Sequence, residues 1–287
     1  MKKLLAFALL LCVAPPAPAA TNATVTVKQV QDRRTKGSFS QLMISIEMPG
    51  IPSADVAASR VLVSQAVDDK GNNLVDSEAQ EPELEQNSRG MYSSDKKDAP
   101  VTVSVTLKNP DRKATNVKQI SGEIELFMPS KDPNSVAEIP KFTSFSGKTL
   151  SHKALKANGV EIAPLNASQL AAEKKRLGDL KRKELKDAGY DDESINSVLA
   201  SFLESLFQTD EGEVLVRLKD PDKHIQDVDY VDAAGEVKRI SMREEEGLTY
   251  FTTWGEKPQA DWKLRVSMKT AKNIVRYPFS LTNVPLP

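Results

Sequence analysis

Carboxylates are the side chains of this sequence best placed to act as acids, bases or ligands. They fall in close pairs at Asp68/Asp69, Asp191/Asp192, Asp220/Asp222 and Asp227/Asp229. Two carboxylates set across a cleft can hydrolyse a glycosidic bond, one as acid and the other as base or nucleophile. Nothing in the spacing selects one pair for that work. Asp220, Asp222 and Asp227 could also offer oxygens to calcium, although the EF-hand spacing is absent. Ser146-Gly147-Lys148-Thr149 ends like a phosphate loop, but Phe142 stands where that loop needs its first glycine. Without that glycine the backbone amides cannot wrap a phosphate. Ser94 and Lys97 have S-x-x-K spacing, but in a polar stretch and not at a buried helix start. His152 and His224 lie far apart and outside any metal-ligand spacing, and no G-x-S-x-G occurs. Turns and solvation account for these residues better than chemistry does. The sequence therefore names no catalytic residue, no metal ligand and no cofactor.

A second candidate is electrostatic. Lys174, Lys175, Arg176, Lys181, Arg182 and Lys183 crowd one segment and could contact an anionic surface, either a polymer or lipid headgroups. Glu173, Asp179 and Glu184 are interspersed, which is the pattern of a solvated helix face. The whole chain carries 39 basic and 40 acidic residues, a balance that argues against a general nucleic-acid binder.

The element holding those bases is the clearest in the chain. Leu170, Leu177, Leu180, Leu185 and Ala188 recur at helical spacing, within an arc of roughly 140° at about 100° per residue. Ile195, Val198, Leu199, Phe202, Leu203 and Leu206 give a second, broader apolar face. Gly189 between them can end one helix, and an aspartate after it can cap the next. A helical hairpin over 165–210 is expected. Its second helix has more apolar surface than its first can cover, so docking on a sheet is expected too.

The tracts on either side read as strand. Leu42 to Met48, Val61 to Ala66, Val101 to Leu107, Val117 to Ile120 and Ile124 to Met128 precede the hairpin, with weaker strands over 136–145 and 160–162. Val214 to Leu218, Ile225 to Val231, Val237 to Met242, Leu248 to Thr252, Trp262 to Val266 and Ile274 to Tyr277 follow it. Turn clusters at short, regular intervals fit antiparallel sandwiches better than a βαβ fold. The fold class expected is mainly β: a sandwich-like unit over 20–164 with a polar loop at 76–99, the hairpin, and a second sandwich-like unit over 211–287. Most of Tyr250, Phe251, Trp254, Trp262, Tyr277 and Phe279 are expected to fill the core of the second unit.

Residues 1–19 have the form of a signal peptide. Lys2 and Lys3 precede an apolar run from Leu4 to Val13, and Ala17-Pro18-Ala19 is an A-x-A site. Cleavage is expected after Ala19, in a periplasmic or extracellular protein without a transmembrane anchor. The single cysteine, Cys12, would leave with the signal, so no disulfide is expected in a compartment that permits them.

The segment from Lys219-Asp220-Pro221-Asp222 to Asp232-Ala233-Ala234-Gly235, with the tail Tyr277 to Pro287, resembles the C-terminal part of uncharacterised secreted bacterial proteins. The resemblance implies a signal peptide, β-sandwich units and an aspartate–glycine turn, and it brings no catalytic residue. The function expected is a non-catalytic binding or scaffold role towards an envelope protein or an anionic polymer. The rival is a carboxylate-dependent hydrolase acting where the two β units meet.

Overall fold

The computed structural model describes residues 24–35, 40–77, 80, 82–86, 99–208, 212–253 and 256–287. The signal segment, Ser94 to Lys97 and Trp254 lie outside the described residues. In chain order the strands before the hairpin are β1 (Thr26–Arg33), β2 (Gln41–Pro52), β3 (Ala58–Asp68), β4 (Glu85–Gln86), β5 (Pro100–Leu107), β6 (Asn116–Phe127) and β7 (Val136–Pro140). A short helix α1 (Lys153–Ala157) and strand β8 (Glu161–Pro164) lead into α2 (Ala167–Asp187) and α3 (Asp192–Phe207). Then come β9 (Glu213–Lys219), β10 (Ile225–Val231), β11 (Val237–Glu245), β12 (Leu248–Thr253), β13 (Lys263–Met268) and β14 (Ile274–Pro285). The protein is mainly β, with antiparallel sheets and the expected hairpin between them.

Alternation builds the first unit. Leu42, Ile44, Ile46 and Met48 of β2 are fully buried while the residues between them are not, as a strand with one face on a core requires. β1, β2 and β5 form one sheet, and β14, β6, β3 and β4 form the other. Between them lies a core that includes Val103, Val105, Val61, Ile120, Ile124, Phe279 and Val284. Burying each such side chain contributes about 1.5–3 kcal/mol.

The second unit is a seven-stranded sheet in the order β7-β13-β10-β11-β12-β9-β8, curled into a half-barrel. Its concave side holds Phe142, Leu155 of α1, Val228, Tyr230, Phe251, Trp262 and Leu264. Phe142 stacks on Tyr230 with ring centroids 4.9 Å apart.

Strand membership departs from the sequence expectation at both ends. β7 and β8, read with the first unit, pair with β13 and β9 of the half-barrel. β14, read with the second unit, pairs along its whole length with β6, and Phe279 enters the first unit's core. Its Pro278 and Pro285 suit the place, because β14 is an edge strand with no ladder donor demanded on its outer side. β6 itself is one continuous strand, where two were expected. Gly122 at its middle opposes an irregularity between Val63 and Gln65, with backbone too close for a side chain. The polar stretch 76–99 includes, in its described part, the short strand β4 on β3. α1 was not expected from the sequence.

The hairpin forms where expected. Asn166 accepts from the Gln169 N–H at 2.9 Å, and Gln169 Oε1 accepts from the Asn166 N–H at 3.1 Å, closing a capping box. Gly189, at φ 84°, ends α2 in the left-handed region, and Asp191 Oδ1 caps α3 by accepting from the Ser194 N–H at 2.8 Å. Docking is at the base. Leu177, Leu206, Leu215, Leu248 and Tyr250 form a buried cluster on the convex side of β9 and β12. Those two strands are thus covered on both faces.

Candidate functional site: an acidic pair in the cleft between the β units

β10 alternates sharply. Val228 and Tyr230 enter the half-barrel core, while Asp227 and Asp229 stand on the opposite face. That face borders a cleft of about 680 Å³, closed on its far side by Ala54, Asp55 and Ala57 and by Pro129 and Ser130 of the first unit. The cleft is therefore shared by the two β units.

Register supplies the neighbours. Asp229 is directly opposite Arg239 of β11 and Arg265 of β13, and Arg265 is opposite Glu138 of β7. In-register antiparallel residues share a face, so Arg239, Asp229, Arg265 and Glu138 form one row across four strands. The arginines are nevertheless drawn to other partners. Arg265 donates to Glu138 Oε1 from Nε at 3.0 Å and approaches it with Nη2 at 2.9 Å. Arg239 donates to Gln86 Oε1 of β4, and its nearest approach to Asp227 is 4.0 Å. Asp229 is 8% exposed, and its Oδ1 has no hydrogen-bond donor among the described residues.

Both carboxyls feel this. Burial, and then the charge of Asp227, push Asp229 up to about 6, with the two arginines opposing. Burial pushes Asp227 up as well, against Arg239 and the Val228 N–H. The two adjoin closely enough to share a proton. Glu138, by contrast, is held low because Arg265 and Lys263 outweigh its burial.

A second charged row holds its carboxylate between two guanidiniums, although Glu125 Oε1, like Asp229 Oδ1, is buried without a hydrogen-bond donor among the described residues. Glu125 of β6 lies between Arg60 and Arg276, with Nε atoms at 2.6 and 2.9 Å. It borders a larger cleft of about 1380 Å³, also between the units.

The other expected residues serve turns. Asp220 accepts from the His224 and Ile225 N–H groups at 2.9 and 2.7 Å and opens on the larger cleft, so it does not join Asp227 as a calcium set. Asp68 is buried, yet the N–H groups of Asn72, Asp111 and Lys70 and the Asn72 amide more than offset the burial and hold it low. The Gly147 N–H donates to the Pro164 carbonyl at 2.7 Å within a turn. His152 Nδ1 accepts from the Ala154 N–H at 3.2 Å, capping α1.

The six basic residues are split. Arg176 is held by Glu173 at 2.7 Å, Lys181 by Glu184 at 3.0 Å, and Arg182 donates to Asn196 at 2.8 Å. Lys174, Lys175 and Lys183 are exposed, with no ion pair among the described residues. Beyond the docked base the hairpin also exposes Leu180 (54%), Tyr190 (53%) and Val198 (39%). No described helix is long and apolar enough to cross a membrane.

Sequence reasoning flagged Asp227 and Asp229 among four equivalent pairs, but it missed Arg239, Arg265, Glu138 and Gln86. The available signal was the D-x-D alternation, which puts two acids on one face of a strand whose other face is core. Comparison with family models, curated proteins and solved structures returns no match. Fold and geometry define a mainly β protein with a helical arm and an acidic interunit cleft.

Proposed function

We propose that this is an exported, non-catalytic binding or scaffold protein that engages an acidic protein surface of the cell envelope through its helical arm. The observation that carries this is the uneven burial of the hairpin. Its base is fixed on β9 and β12, while Leu180, Tyr190 and Val198 stay exposed on a helix pair that also presents Lys174, Lys175 and Lys183. Exposed apolar and cationic groups together suit a protein interface with complementary charge. Export is supported by the signal-like segment 1–19 and by the resemblance of 219–235 and the tail to secreted proteins.

Co-sedimentation of the purified chain with washed envelope fractions tests this. The double variants Lys175→Glu/Lys183→Glu and Leu180→Ser/Val198→Ser should each reduce binding at least about tenfold, equivalent to roughly 1.4 kcal/mol. Loss in the charge variant alone, abolished by moderate salt, would point to an anionic polymer. Unchanged binding in both would sink the reading.

The acidic pair favours a second reading, a carboxylate-dependent hydrolase at the junction. Asp229 would hold a proton and Asp227 would act as base. Turnover of any polysaccharide or peptide substrate should then vanish in both Asp227→Asn and Asp229→Asn, and activity surviving in both would reject it.

A further inference from the structure

We infer that the interunit cleft is a binding site for a cationic hydrogen-bond donor, the ammonium group of an amine or of a lysine side chain, held by Asp229 and Asp227. The inference is independent of the helical arm. It begins from an atom that lacks a partner among the described residues: Asp229 is more than nine-tenths buried, lines the cleft, and has an Oδ1 to which none of them donates. A buried acceptor left in that state costs about 1–3 kcal/mol, and more when charged. Something that enters the cleft can supply the missing donor.

The surrounding charges narrow the class. Asp55, Glu138, Asp227 and Asp229 face the cleft with Arg239 and Arg265, so four carboxylates meet two guanidiniums. Arg265 is engaged by Glu138, and Arg239, which donates to the neutral Gln86 amide, comes within 4.0 Å of Asp227, so one guanidinium faces the two carboxyls of the pair and a net negative charge remains there. An anion would meet net negative charge. A divalent metal needs several oxygen ligands, and no group of three or more ligating side chains forms among the described residues. An ammonium carries one charge and up to three N–H donors. It would compete with the proton that Asp229, raised to about 6, otherwise holds beside Asp227.

This competition gives the test. Carbon-13 spectra of the aspartate carboxyls in the full chain follow the titration of the pair, assigned with Asp227→Asn and Asp229→Asn. Ethylammonium at ten times its dissociation constant should lower the apparent value by about one unit, because cation and proton exclude one another. Tetramethylammonium, which has charge but no N–H, should give no shift at equal ionic strength. Asp229→Asn should bind ethylammonium at least about tenfold more weakly, and Asp227→Asn should weaken it too. A blocked lysine tripeptide distinguishes the sources: tighter binding than ethylammonium indicates a protein lysine, and equal binding indicates a free amine. Equal shifts from both ammonium ions, no shift from either ethylammonium or the tripeptide, or ethylammonium binding unchanged in Asp229→Asn would overturn the inference.

Discussion

The phenol of Tyr250 donates to the main-chain carbonyl of Leu206 at 2.6 Å, fixing the last turn of α3 to the middle of β12. That carbonyl is among the last four of the helix, which have no intrahelical partner. The bond therefore satisfies a buried tyrosine and a helix end together. Tyr250→Phe should cost about 1–3 kcal/mol, the range for leaving a buried acceptor unsatisfied. Arg243, 4.0 Å from the same ring, should keep its contact. Urea midpoints of the two proteins measure the difference.

Docking at the base also ranks the apolar residues of α3. Leu206 is 1% exposed, so Leu206→Ala should cost about 2–5 kcal/mol. Val198, exposed beyond the base, should give a change under about 0.5 kcal/mol as Val198→Ala. Phe202 is only partly buried against the docked cluster, so Phe202→Ala should fall between them. Equal costs at 198 and 206 would show an arm docked along its whole length.

Elements declared by local pattern were legible in the sequence, and their partners were not. The hairpin carries its own periodicity, its asparagine and aspartate caps and its terminating glycine, all within one stretch. β14 shows an alternating strand, but alternation carries no address. Only the structure shows that Ile274 to Pro285 returns to β6, more than a hundred residues earlier. α1, at five residues, is too short for periodicity to register. The site followed the same logic. Asp227 and Asp229 are local and were visible, whereas Arg239, Arg265 and Glu138 arrive on three other strands through register.

The return of β14 has a consequence for stability. Phe279 lies in the first unit's core, so Phe279→Ala should cost about 3–5 kcal/mol. Hydrogen exchange should show the loss in β2, β5 and β6 before β9 to β12. Exchange raised first in the half-barrel would contradict the pairing.

Gly122 gives a steric test of the same sheet. A methyl there would stand 2.1 Å from the Leu62 carbonyl oxygen and 3.0 Å from Val63 Cα. Both are backbone atoms, so neither can swing aside. Gly122→Ala should destabilise by about 1–3 kcal/mol or more, as overpacking does, read from the thermal midpoint.

Asp229 sets a pH dependence of known sign. Its folded value of about 6 stands above the unperturbed 3.8, so the folded state holds the proton more tightly. The contribution is fully present below about pH 4 and is lost as pH rises through about 6, roughly 2–3 kcal/mol in all. Asp229→Asn has no such loss. Its stability relative to the parent should rise between pH 4 and pH 8, and a difference flat across that range would contradict the buried pair.

The proposed partner surface is the arm beyond its docked base. Photo-crosslinking in intact cells tests it most directly, with a photoreactive residue placed singly at Leu180, Val198 or, as a control on the body, the exposed Lys113. One adduct of the same mass is expected from positions 180 and 198, lost when Lys175→Glu/Lys183→Glu is added, and none from position 113. Adducts from position 113 alone, or adducts at 180 and 198 that survive the charge reversal, would contradict it.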